Sequence, residues 1–144
     1  MNIEIRTNLT LHLYGFSGMV PDRKFGETGL RLSGRMWDIV TKNKLPHKGI
    51  NIWVYDHQAT MFAGVEIEPR PKDDFGLEQR DIDIAKYAWY KHVGSYKLLM
   101  KANEDMKREL EARGLKFGAP SLEIYGHHQP EESLNQTEII YSIY

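Results

Sequence analysis

The sequence predicts an α+β protein made of two strand-helix-strand-strand units, with antiparallel sheets covered by helices on one side. Three observations lead there. Stretches of period-two alternation and one amphipathic helix follow one another in the same order twice. A proline- and charge-rich connector, "PRPKDDFGLEQRD", interrupts the pattern after Glu68. At 144 residues the chain suffices for one sizeable core and is short for two independent domains. We therefore take residues 1–144 as a single domain, with halves over 1–68 and 81–144 and a linker over 69–80.

The elements follow in order. In "LTLHLYG", Leu9, Leu11 and Leu13 alternate with Thr10, His12 and Tyr14, a half-buried strand ending at Gly15. Leu32, Met36, Ile39 and Val40 in "LRLSGRMWDIVTKNK" form a helical stripe that must stop before Pro46. "INIWVYD" and "MFAGVEIE", joined by "HQAT", read as a hairpin. The second half repeats the order, with "IDIAKYAWYKHVG" as a long strand ending at Gly94. The helix that follows buries Leu99, Ala102, Met106 and Leu110, with Ser95 at its start and Gly114 at its end. "SLEIYG" and "TEIIYSIY" supply the last two strands.

Composition narrows the function. Nineteen basic and 20 acidic residues give a net charge of -1, so no global charge favours nucleic acid or an anionic membrane. Without cysteine there are no disulfides, thiolate metal sites or cysteine nucleophiles. "MNIEIRTNLT" holds no signal-peptide core and no apolar run approaches the ~18 residues of a membrane span, so a soluble, cytoplasmic protein is expected. The six histidines show no HxxxH or HExxH spacing, and no metal or other cofactor is expected. His92 reads as a hydrogen-bonding residue at a strand end.

Glu123 in "SLEIYG" and Glu138 in "TEIIYSIY" interrupt otherwise apolar strands. A sheet covered on one side presents a polar face to water, where glutamates cost nothing. These glutamates, however, keep aromatic company. Ile50, Ile52 and Val54 share one strand face and Trp53 and Tyr55 the other, while Leu122 and Ile124 oppose Glu123 and Tyr125. Assigning the aliphatic face to the helix leaves Trp53, Tyr55, Glu123, Tyr125 and Glu138 on the helix-free face, where they would line one concave surface. Aromatic rings beside carboxylates suit a flat, lipophilic cation. On the long strand both parities are aromatic, and we assign Trp89 to the pocket.

"YKHVGSY", the long helix after it, "RGLKFGAPSLEIYG" and the terminal "TEIIYSIY" together resemble the GyrI-like small-molecule-binding family, the effector-binding domain also joined to AraC-type and MerR-type multidrug-response regulators. The resemblance is strongest from Tyr87 onward. It implies a pseudo-two-fold between the units and a central groove for lipophilic, often cationic compounds, with Glu123 and Glu138 as the groove's acids. Tyr125 and Ile140 lie two residues further along the same strands, and Tyr96 matches a tyrosine recurrent in the family. The resemblance is to standalone members, acting in sensing or sequestration as a monomer or weak dimer, without direct DNA binding and with any protein partner unidentified. It also implies two alternatives. One is a hydrolase of cyclopropane-bearing alkylating compounds, in which Glu123 and Glu138 would be catalytic. The other is a protein-interaction inhibitor such as a gyrase-protecting protein.

Overall fold

Strand alternation runs well beyond the apolar residues that mark it in the sequence. The computed structural model describes residues 1–144 in the order β1 (Glu4–Met19), α1 (Phe25–Lys42), β2 (Asn51–Asp56), β3 (Thr60–Val65), β4 (Glu78–Val93), α2 (Leu99–Ala112), β5 (Phe117–Tyr125) and β6 (Gln136–Ile143). Short 3-10 turns at Tyr96–Leu98 and Glu132–Leu134 precede α2 and β6. The Ser95 hydroxyl accepts from the Lys97 backbone N–H at the start of the first turn, and Gly114, at φ +72°, ends α2. β4 begins at Glu78, inside the stretch that reads as a connector.

The strands close into one antiparallel barrel of order β1-β3-β2-β5-β6-β4, with β4 returning to β1. Two pairings join the halves: β1 with β4, and β2 with β5. Closure removes every free edge.

The aliphatic faces turn into this barrel, correcting the assignment made from the pattern. Leu13, Ile52, Val54, Phe62, Ile82, Ile84, Leu122 and Ile140 form its interior cluster. A six-stranded barrel has room only for side chains of this size. Both helices lie on the outer wall. Leu32, Met36 and Val40 of α1 pack on Tyr14, Phe16, Met61 and Val65, and Ala102, Met106 and Leu110 of α2 pack on Ala88, Ile139, Tyr141 and Ile143. The face carrying Trp53, Tyr55, Glu123 and Tyr125 is therefore the one turned toward the helices. It lies under the gap that they leave.

Candidate functional site

That gap is an open cleft of about 720 Å³ between α1 and the start of α2, floored by the β2–β5 pair. α1 contributes Gly26, Leu30, Ser33, Gly34 and Trp37, residues at helical spacing along one side. Trp53 and Tyr125 rise from the floor, and Tyr96 and Leu99 form the opposite lip. The indole N–H groups are tied back: Trp53 donates to Ser33 Oγ at 2.9 Å and Trp37 to Asn51 Oδ1 at 2.7 Å. The aromatic rings meet edge to face, Trp53 with Tyr125 at 5.3 Å and Tyr125 with Tyr96 at 5.9 Å between centroids.

Beneath Tyr125 sits Glu123, only 7% exposed. Its Oε1 accepts from the Tyr55 hydroxyl in a short contact and from the Tyr125 hydroxyl at 2.8 Å. Its Oε2 accepts from Asn103 Nδ2 at 3.1 Å. Asn103 is held in turn, since its Nδ2 also donates to the Leu99 carbonyl at 2.9 Å and its Oδ1 accepts from Tyr141 Oη at 2.6 Å. The carboxylate thus has three neutral donors and no ion pair. Burial, and then the charge of Glu123, push the phenols of Tyr55, Tyr125 and Tyr141 well above their ordinary range. They remain protonated and keep donating. Glu123 does not itself line the cleft; Tyr125, its donor, does.

The eight residues expected at the site separate into three groups. Trp53, Tyr96 and Tyr125 line the cleft. Tyr55 and Glu123 form the hydrogen-bonded layer below it. Trp89, Glu138 and Ile140 are elsewhere, which corrects their assignment to the same surface. In the β5–β6 register Glu123 lies opposite Ile139 and Glu138 opposite Ile124, so the two carboxylates occupy opposite faces of the wall. Ile140 fills the barrel interior with Leu122. Trp89 packs against that interior too, donating to Glu138 Oε1 at 2.7 Å while the Arg6 guanidinium lies 3.6 Å from its ring centroid. The notion of Glu123 and Glu138 as a close catalytic pair does not survive this arrangement.

Sequence reasoning missed most of the α1 wall. Its signal was Gly26 and Gly34 on the same helix face, since glycine in a helix interior is costly unless space is needed. It also missed Asn103, which looks like any polar helix residue. No three His, Asp or Glu side chains gather as a metal-holding group.

No protein-family model matches the chain. No curated protein matches it either. Solved structures do. The C-terminal domain of EcmrR superposes with a TM-score of 0.76 at 16% identity, over 100% of this chain and 99% of that one. SAV2435 bound to tetraphenylphosphonium follows with a TM-score of 0.69 at 15% identity, covering 100% and 94%. A hydrolase from Listeria innocua gives 0.61 at 10% identity, covering 99% and 91%. At these identities the shared property is the fold. The chain therefore has the fold of the EcmrR C-terminal domain and of SAV2435, which fits a GyrI-like effector-binding fold.

Proposed function

We propose that the protein is a GyrI-like small-molecule-binding protein that takes a lipophilic, cationic aromatic compound into the cleft, for sensing or sequestration. The observation that carries this reading is Glu123: a buried carboxylate with neutral donors and no counter-cation, directly beneath an aromatic cleft. A buried anion without a paired cation is an unfilled electrostatic demand. Trp37, Trp53, Tyr96 and Tyr125 supply apolar area and negative ring faces for the body of such a compound. For its charge to reach Glu123, the Tyr125 or Tyr55 hydroxyl must swing aside, and the cation then replaces the lost donor with a charge-assisted contact. SAV2435, of the same fold, is bound to a lipophilic cation, which supports the reading. The strand order β1-β3-β2-β5-β6-β4 supports a pseudo-two-fold exchanging β1 with β4, β2 with β5 and β3 with β6, with the cleft at the β2–β5 junction.

Titrating tetraphenylphosphonium and rhodamine 6G while following tryptophan fluorescence tests the proposal. Saturable quenching by the cations, weakened in Glu123→Gln, is expected. A folded protein that binds none of them overturns it.

A hydrolase reading has two observations behind it: Glu123 shares its Oε1 with two phenolic hydroxyls, and a neighbour of the same fold is a hydrolase. In that case Glu123 alone takes a proton from water as the water oxygen bonds to a ring carbon. The strained C–C bond breaks, its electron pair passes to the group that activates the ring and the proton is returned there, so cyclopropane-bearing alkylating compounds are the class to try. Mass spectrometry of such a compound after incubation separates the readings. An adduct of water that forms with wild type and not with Glu123→Gln supports hydrolysis, and unchanged compound leaves binding alone.

A further inference from the structure

Thr137, opposite Tyr125 of the cleft wall, and Asn135, just before the same strand, each carry a buried polar atom that the fold leaves without a partner. Asn135 is 1% exposed and Thr137 is 0% exposed, and neither Asn135 Nδ2 nor Thr137 Oγ1 makes a hydrogen bond. Native interiors seldom leave such groups unpaired, because each costs the desolvation of a donor without return. Two neighbouring groups are engaged elsewhere. His92, paired with Thr137 across β4–β6, has its Nε2 on the Ser95 carbonyl at 3.2 Å. The Tyr125 hydroxyl is already committed to Glu123. The amide of Asn135 is not free to turn, since its Oδ1 accepts from the Gln129 backbone N–H at 2.7 Å, and this fixes Nδ2 as the outstanding donor.

Asn135 ends the 3-10 turn just before β6, two residues ahead of Thr137 in the strand. Thr137 lies directly opposite Tyr125 in the β5–β6 register, on the face of the wall that carries Glu123. Diagonal neighbours across an antiparallel pair are about 7–8 Å apart, which sets the spacing between Glu123 and Thr137. Thr137 Oγ1 and Asn135 Nδ2 can both donate, and one carbonyl oxygen has two lone pairs to receive them.

We infer that Asn135 and Thr137 form a polar subsite next to the aromatic cleft, which selects lipophilic cations carrying a carbonyl or similar acceptor oxygen one aromatic ring away from the charge. This rests on the cation-binding reading and names the class of ligand within it. Entry requires Tyr125 to move, as access to Glu123 by way of its hydroxyl already does. The competing occupant is a single buried water, which can satisfy the same two atoms.

A matched pair of cations decides between them: (4-acetylbenzyl)triphenylphosphonium and its 4-isopropylbenzyl counterpart, equal in shape and charge and differing in the acceptor oxygen. Wild type is expected to bind the acetyl compound about tenfold more tightly, the worth of one well-made hydrogen bond. Thr137→Val keeps the shape and removes the hydroxyl, and Asn135→Asp keeps the bond from Gln129 and removes the donor. In each, the preference should collapse; the isopropyl compound binds Thr137→Val as it binds wild type, whereas the charge added by Asn135→Asp strengthens both cations alike. Equal affinity of the two cations for wild type, or a preference that survives both substitutions, overturns the subsite and leaves cation binding standing. Failure of both cations to bind wild type removes the cation reading and the subsite together.

Discussion

A single substitution separates charge from shape at Glu123. Glu123→Gln retains an oxygen for Tyr55 and Tyr125 but loses the anion. Affinity for a lipophilic cation should fall about tenfold or more, roughly 1.4 kcal/mol or above, with a neutral compound of similar outline changed less than about twofold. Isothermal titration with both ligands checks this, and equal loss for the two would reduce Glu123 to a packing role. The phenols around it make a separate prediction about stability. Burial holds Tyr55, Tyr125 and Tyr141 above their ordinary value of 10.0 in the folded protein. Unfolding returns them to that value, so above it the unfolded chain binds fewer protons than the folded one and stability falls as pH rises. Their contribution is fully present below about pH 10, and above it each phenol lowers stability by up to about 1.4 kcal/mol per pH unit. The urea midpoint should stay level to about pH 9 and then decline, less steeply in Tyr141→Phe.

At the scale of the element, two of the three glycines of α1 have opposite consequences. A Cβ on Gly29 would come within 2.4 Å of the Trp53 ring, whereas one on Gly34 meets nothing within 4 Å. Gly29→Ala should push Trp53 away from Ser33, cost about 1–3 kcal/mol by overpacking and shift the tryptophan emission. Gly34→Ala should stabilise by up to about 1 kcal/mol through helix propensity. Because Gly34 lines the cleft, the added methyl should at the same time weaken bulky cations. Urea denaturation with a dye titration on the same samples reads both effects, and a Gly34→Ala variant that binds a bulky cation as wild type does would place the ligand away from α1. Elements of this kind were legible in the sequence: the α2 stripe of Leu99, Ala102, Met106 and Leu110 is the buried face observed. Which strand face is inside was not. Period two separates Ile52 and Val54 from Trp53 and Tyr55, yet it says nothing of which set faces the helices. Only closure of β1 on β4 and β2 on β5 decides that, and those pairings join residues far apart in the chain. The same limit explains Trp89, whose strand is aromatic on both parities. Tyr87 belongs to the interior cluster with Ile82 and Ile84, and Trp89 packs against it, so the alternation slips by one residue between Ile84 and Tyr87, a slip that no pattern in the sequence announces.

Across the whole molecule, the barrel wall puts its two strand glutamates into unrelated environments. Glu123 belongs to the layer of phenols below the cleft, while Glu138 belongs to Trp89 and, through that ring, to Arg6. They share no hydrogen-bond partner and face opposite ways from adjacent strands. Side chains without common partners contribute to stability independently, within about 0.5 kcal/mol. Glu138→Gln should therefore leave cation affinity within about twofold of wild type, and its effect on the urea midpoint should add to that of Glu123→Gln in the double variant. A functional pair would behave differently: the second substitution would cost little once the first had been made, and Glu138→Gln alone would weaken binding. Four proteins, unfolded in urea and titrated with tetraphenylphosphonium, complete the cycle. Additivity in the first measurement and indifference to Glu138 in the second are the expected results of a wall that separates the two carboxylates. Coupling in either would require a ligand, or a movement of the strands, that brings both faces to the same molecule.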